Sequence, residues 1–256
     1  MLVVTLALGG VVYGQLELAK DSAMSQVEEN VDQTAVQTAD QLDAQIRQEK
    51  EYVEFYASRP AAGNFTRSTE FLQRLLTNPR VLAAHVVASN GTVVAYRGDV
   101  TPSVRRETVG DDFGNRTYVR QPVRTGELSV TDPYRVNGGD GYVVIVSAPI
   151  FEDGEIVGVL AAELPVDEFT FLPMLQSLET DMRTVSVTAD GRVLYDSERS
   201  VADEVASTAT VETTGWTVRV SRDRSTLDAR LQEMAVVQAA SLVVVLALVI
   251  GFAVWE

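Results

Sequence analysis

Met234 to Trp255 is an apolar run of 22 residues without a charge. A helix of that length covers roughly 33 Å at about 1.5 Å per residue, enough to cross a hydrocarbon core of about 30 Å. Gln238, its one strongly polar residue, sits near one end. Trp255 sits at the other, where an aromatic ring anchors at the interface. A buried core helix is the alternative, but the run has no polar face. Leu2 to Gly14 is also apolar and uncharged, though short for a span. It shows neither the basic start nor the small-residue cleavage site of a signal peptide, so a first transmembrane helix whose beginning is missing fits it better. Every lysine and arginine lies between the two runs. That layout predicts a two-pass membrane protein with a polar domain looped out on the cell exterior.

The looped-out part is strongly acidic. Of 36 Asp and Glu only Glu256 lies outside residues 15–233, which leaves 35 acids against 21 bases, a net −14. A field of that sign repels nucleic acid and anionic lipid, and it excludes DNA and RNA as partners. Lys20 and Lys50 are the only lysines. An acidic, lysine-poor, valine- and threonine-rich chain resembles the proteins of salt-loving archaea. The sequons at Asn64, Asn90 and Asn115 suit a glycosylated surface domain. Cysteine is absent, which excludes disulfides, thiol catalysis and cysteine zinc sites.

Gln15 to about Ser58 contains neither Gly nor Pro, and Val27, Val31, Ala35, Thr38, Leu42, Ile46, Val53 and Tyr56 recur at spacings near three and four. This is one apolar stripe on a long helix. The stripe is expected to pair with a partner subunit near the membrane and to pack on a sheet further along. Arg59-Pro60 ends the helix, because proline disfavours helical backbone in the residue before it. Beyond Asn64 the pattern turns to period two. Asn90-Gly91, Asp153-Gly154 and Asp190-Gly191 each separate two apolar segments. Such pairs supply the positive φ angles of a type I′ turn, so three antiparallel hairpins are expected. They join 81–88 to 92–97, 142–151 to 155–164, and 184–188 to 192–196. A further strand is expected at 216–221. Residues 98–141 read as a long irregular loop, of the kind that usually binds or covers a ligand. A short helix at 165–178 joins two sheet units. The expected fold is α+β. Its parts are a transmembrane helix at 1–14, a stalk helix at 15–58, a membrane-distal unit at 59–167, a smaller membrane-proximal unit at 168–224, a helical linker at 225–233 and a second transmembrane helix at 234–255.

Over nearly its whole length the chain resembles a double Cache sensor, a family of PAS-like extracytoplasmic domains of membrane chemoreceptors and sensor histidine kinases. The most specific segments are Asp132-Pro133-Tyr134, the run from Tyr142 through Ser147-Ala148-Pro149-Ile150, and Asp153-Gly154-Glu155-Ile156-Val157-Gly158-Val159. These are similar to the family's paired central strands behind its pocket. The resemblance implies a ligand site in the distal unit. Amino-acid-binding members use an Arg, a Trp and a Tyr in a short cluster, and an Asp at the end of the last strand. Here Arg116 holds the arginine position, Tyr118 that of the tryptophan and Val119 that of the tyrosine, while Glu163 holds the acid position. Arg116, Tyr118, Tyr134 and Glu163 are the candidate ligand-binding residues. An arginine fork holds a carboxylate bidentately. The acid would hold an ammonium group, and the tyrosines would wall the ligand. The alternative is that Arg116 and Glu163 pair with each other or with solvent, and that Tyr118 and Tyr134 are core.

No catalytic residue, metal site or cofactor is expected. His85 is the one histidine and lies inside an apolar strand, which reads as structural. No nucleophile elbow or glycine-rich phosphate loop occurs. Asp111-Asp112 lacks the spacing of a calcium loop. The expected function is the small-molecule-sensing domain of a transmembrane receptor. It would bind an amino acid, a carboxylate or an amine, pair through its stalk, and pass its signal through the second transmembrane helix. A membrane-anchored structural or adhesion protein without a small ligand is the alternative. A ligand-lined distal unit favours the sensor, and a solid core there favours the alternative.

Overall fold

The computed structural model of the chain describes residues 2–98, 101–135, 142–166, 175, 176, 178, 183–197, 203–224, 237 and 244. One helix, α1 (Leu2–Ala57), runs 56 residues, about 84 Å at the usual rise. It leads into α2 (Pro60–Gly63), a 3₁₀ turn at Phe65–Arg67 and α3 (Ser68–Leu75). Hairpin β1 (Ala83–Ala88) and β2 (Val93–Gly98) follows, then α4 (Pro102–Thr108), α5 (Thr117–Thr125), and the two-residue strands β3 (Ser129–Val130) and β4 (Tyr134–Arg135). Long hairpin β5 (Tyr142–Glu152) and β6 (Glu155–Pro165) completes the first unit. The second holds β7 (Arg183–Ala189), β8 (Arg192–Asp196), β9 (Glu204–Thr210) and β10 (Thr217–Asp223).

The first sheet has the order β2-β1-β6-β5-β3, with β4 also pairing β5, and the second has the order β8-β7-β10-β9. Every pairing is antiparallel. Two of the three hairpin turns take the expected form. Asp153 and Gly154 have φ of 50° and 86°, and Asp190 and Gly191 have 47° and 73°, the positive pair that a type I′ turn requires. The turn at Asn90-Gly91 differs, because Gly91 takes φ 94° while Asn90 is not among the positive-φ residues. Ala88 N–H donates to Thr92 O at 2.9 Å, which closes a three-residue loop over Ser89, Asn90 and Gly91. Asn90 Oδ1 accepts from Thr92 N at 3.0 Å and holds that shape. A β-carbon on Gly91 would stand 2.5 Å from Asp112 Oδ1, so only glycine fits.

The stripe on α1 is buried as the spacing requires. Val31, Ala35, Thr38, Leu42, Ile46 and Val53 are almost fully buried, and Val27 and Tyr56 flank them half-buried. Thr38 satisfies its hydroxyl on Thr34 O one turn back, at 2.7 Å. The stripe, the inner face of the first sheet (Ala84, Val86, Val146, Leu160, Ala162 and others) and that of the second (Val185, Val187, Trp216, Val218, Val220) form one apolar cluster. Polar ties locate the two units along the helix. Asp32 accepts from Ser207 Oγ at 2.6 Å, and Asp43 accepts from Thr213 N at 2.6 Å. Later on the helix, Glu49 pairs with Arg80 at 2.8 Å and Tyr52 Oη donates to Leu75 O at 3.0 Å. Ser58 N–H still bonds Glu54 O, and Arg59 then turns to extended backbone before Pro60.

Within the stretch that reads as an irregular loop at 98–141, the described residues 101–135 carry α4, α5, β3 and β4. Its helices are short and polar, so their packed faces leave little periodic signal. Strand β9 leaves no clear pattern in the sequence, because EVASTAT carries one large apolar residue, Val205. Among the described residues no helix is long and apolar enough to cross a membrane. The span expected at 234–255 falls outside them except for positions 237 and 244, the joining helix at 165–178 lies mostly outside, and at 2–14 only the helical backbone is described.

Asp43 lies 2 % exposed between α1 and the second unit. Burial pushes its carboxyl upward, but the hydrogen bonds from Thr213 and the Arg47 guanidinium together hold it below the usual carboxylate range. A depressed folded pKa contributes stability that is present above the ordinary value of 3.8 and is lost as pH falls through the lower folded value. Asp43→Asn should therefore lose about 1–2 kcal/mol at neutral pH in urea unfolding. The deficit should shrink below the ordinary carboxylate range. An equal deficit at all pH values would contradict this assignment.

Candidate functional site

Side chains alternate across a strand, so covering one face of the first sheet with α1 and α3 leaves the other face to different residues. On β1 that outer face receives Ala83, His85 and Val87, and on β6 it receives Val159, Ala161 and Glu163. The register sets them in rows. One row runs Tyr96, His85, Ala161, Ser147 and the next runs Gly98, Ala83, Glu163, Ile145. A bulge between Val86 and Val87 shifts the phase on β2 and brings both Tyr96 and Val93 to this face. Alanines at 83 and 161 keep the rows low beside the larger polar groups.

Helix α5 supplies the cover. Its buried face is Tyr118, Val119 and Pro122, and Gly126 closes it in the left-handed region at φ 72°. Proline has no N–H, so Pro122 leaves the carbonyl four residues back, on Tyr118, without its helical donor. Ser147 on β5 fills that role, donating Oγ–H to Tyr118 O at 2.7 Å. The proline inside the helix thus creates the bond that pins α5 to the sheet and fixes the Tyr118 ring.

His85, 1 % exposed, is the centre of the cluster. Tyr96 stacks on it at 5.6 Å between centroids, and Phe113 and Tyr118 present their rings at steep angles at 5.8 and 5.5 Å. His85 Nε2 is 3.1 Å from Tyr118 Oη. Its Nδ1 has no hydrogen-bond partner and faces Glu163 Oε1 at 3.6 Å. Glu163, 7 % exposed, accepts from Tyr96 Oη at 3.2 Å. Burial pushes the Glu163 carboxyl above the usual carboxylate range, against the pull of the Tyr96 hydrogen bond. Burial alone lowers His85 to about 4, so the imidazole is neutral at ordinary pH. The phenols of Tyr96, Tyr118 and Tyr134 are pushed up first by burial and then by the Glu163 charge.

The structure brings Tyr118 and Glu163 into one buried cluster and sets Tyr134 and Arg116 at its rim. Tyr134 is 36 % exposed, yet its phenol feels Glu163, Tyr118 and Tyr96. Arg116 caps α5, is exposed, and lies over the Phe113 ring at 5.3 Å. Its charge reaches the cluster, since it lowers both Tyr118 and Tyr134. Among the described residues no ion pair joins Arg116 to Glu163. Tyr96 and His85 were not among the candidates. Their signal was a polar residue placed in strands that are otherwise apolar, on the same parity as small alanines. No group of three or more metal-ligating side chains occurs among the described residues.

Residues 73–170 match the family model described as methyl-accepting chemotaxis protein-like, first PDC sensor domain. Solved structures share the fold across both units. The ligand-binding domain of the Campylobacter jejuni chemoreceptor Tlp3, in complex with L-valine, is 13 % identical with a TM-score of 0.61, covering 80 % of this chain and 96 % of that one. The ligand-binding domain of the Pseudomonas aeruginosa amino acid chemoreceptor PctC, in complex with GABA, is 18 % identical with a TM-score of 0.60, covering 76 % and 99 %. The extracellular domain of mmHK1S-Z2 is 14 % identical with a TM-score of 0.59, covering 78 % and 97 %. A search of curated proteins found no match. Residues 73–170 are thus similar to a PDC sensor domain, and the chain has the two-unit fold of these receptor domains, the fold that the sequence resemblance implied. None of these comparisons bears on the likeness in composition to salt-loving archaea.

A raised carboxyl pKa has a stability consequence. Folding disfavours the charged form of Glu163, so its contribution turns against the fold as pH rises from the ordinary value of 4.5 through the higher folded value. Glu163→Gln should raise stability at neutral pH, on the order of 1 kcal/mol. The gain should disappear in acid. Thermal unfolding across pH measures it, and a variant less stable than the parent at neutral pH would contradict the reading.

Proposed function

We propose that this chain is the extracytoplasmic small-molecule-sensing domain of a transmembrane signalling receptor, with its ligand held on the outer face of the distal sheet. The observation that carries the reading is the buried polar cluster of His85, Tyr96, Tyr118 and Glu163. A domain built only as a spacer or adhesion module would close that face with apolar side chains, since buried polar groups without full hydrogen bonding cost stability. Arg116 at the rim would take a ligand carboxylate, Glu163 an ammonium group, and Tyr118 and Tyr134 the body of the molecule. The L-valine and GABA of the related chemoreceptor structures carry both charged groups, which supports an amino acid, amine or carboxylate here.

The reading keeps the distal unit at 59–167 and the proximal unit at 168–224. It places membrane anchors at 1–14 and 234–255 and a subunit pairing along the early stalk. A route for the signal exists in the polar ties between units. Arg192, at the β7–β8 turn, donates to Pro133 O at 2.8 Å. Pro133 directly precedes Tyr134, so movement at the rim of the site reaches the proximal sheet through one hydrogen bond. Domain movements of about 1–2 Å suffice in such systems when an interface is bistable. The ligand must bind the two states unequally for anything to be transmitted.

Thermal unfolding of the chain against a panel of amino acids, carboxylates and amines tests the proposal. A solute that binds only the native state at about 100 times its Kd adds roughly 2.7 kcal/mol. At least one solute should stabilise the chain, and Arg116→Ala should weaken a carboxylate-bearing one by about tenfold or more. If no solute in the panel shifts the transition, the sensor reading falls and the adhesion reading replaces it.

A further inference from the structure

Two acceptors converge at the centre of the site, and only one of them came from the family pattern. Glu163 Oε1 and His85 Nδ1 lie 3.6 Å apart, beyond hydrogen-bonding distance. Nδ1 is buried and unpartnered, whereas Nε2 is engaged with Tyr118 Oη. With the ring proton on Nε2, Nδ1 and the carboxylate oxygen are two acceptors side by side on adjacent rows of the sheet. A carboxylate ligand placed there would meet two acceptors. A group with several N–H donors satisfies both, because tetrahedral N–H bonds can reach two acceptors at that separation.

We propose that His85 is a ligand contact, its Nδ1 and the Glu163 carboxylate jointly receiving one primary ammonium group of the bound solute. The inference rests on the sensor reading above and narrows it. The site requires N–H donors, so it distinguishes a primary ammonium from a quaternary one of similar size and equal charge. The Glu163 charge alone would accept both. The groups that face His85 are Tyr96 from β2, Tyr118 from α5, Phe113 from the preceding loop and Glu163 from β6, with Arg116 and Tyr134 beyond them. No cation among the described residues occupies the pair.

His85 is the only histidine in the chain, so nitrogen-15 labelling of histidine reports one imidazole. The full chain is titrated with methylammonium chloride and, separately, with tetramethylammonium chloride at matched ionic strength. Methylammonium should move the unprotonated ring nitrogen saturably, and tetramethylammonium should leave it in place. Glu163→Gln should weaken the methylammonium response about tenfold or more. His85→Phe keeps the ring and removes the nitrogens. It should weaken amine-bearing solutes of the panel by a similar factor and leave carboxylates without an amine unchanged. An unmoved nitrogen in methylammonium, or an equal response to tetramethylammonium, overturns the assignment. If a panel solute still stabilises the chain in that case, the sensor reading stands without His85. If none does, both fall.

Discussion

One helix stripe against one sheet face sets the rest of the molecule. The later part of the α1 stripe lies on β5 and β6 while α3 lies on β1 and β2, which together cover Ala84, Val86, Leu160 and Ala162, and strand geometry then sends the odd-numbered residues of β1 and β6 to the far side. Were the register to slip by one residue, His85 and Glu163 would fall into the apolar cluster and valine and leucine would line the site. The same stripe continues to the second sheet, which makes α1 the common wall of both units. Asp43 and Asp32 then fix where along the helix the second sheet sits.

The far side of the distal sheet follows a different logic from the helix side. It buries an acid and an imidazole among phenols, with hydrogen bonds that satisfy them only in part. Such an arrangement is unfavourable for the free protein and useful for binding, because the polar groups are held in place before a ligand arrives. Its rigidity comes from neighbours that touch no ligand themselves. Pro122 removes a helical donor, Ser147 replaces it from the sheet, and Tyr118 is held over His85 as a result.

The strands of the two long hairpins were legible because their signals are local: Asp-Gly pairs with positive φ and uninterrupted apolar runs. The stalk was legible from its spacing alone. The helices between Gly98 and Tyr142 were not, since α4 is short and polar and α5 contains Pro122, which argues against helix in any local reading. Strand β9 hid for the opposite reason, with alanine, serine and threonine at an edge. In the site, Arg116, Tyr118 and Glu163 emerged through family resemblance, and Tyr134 through its motif. Tyr96 and His85 did not, because period-two alternation says which residues share a face and does not say which face is covered by a helix.

The account depends on a solute binding to the outer face of the distal sheet. Hydrogen exchange of the chain with and without a stabilising solute tests that most directly. Protection should appear at 83–88, 113–125, 134–135 and 158–165, with the proximal strands at 183–189 and 217–223 responding less. Protection confined to the proximal sheet, or to the helix-covered face alone, would contradict it.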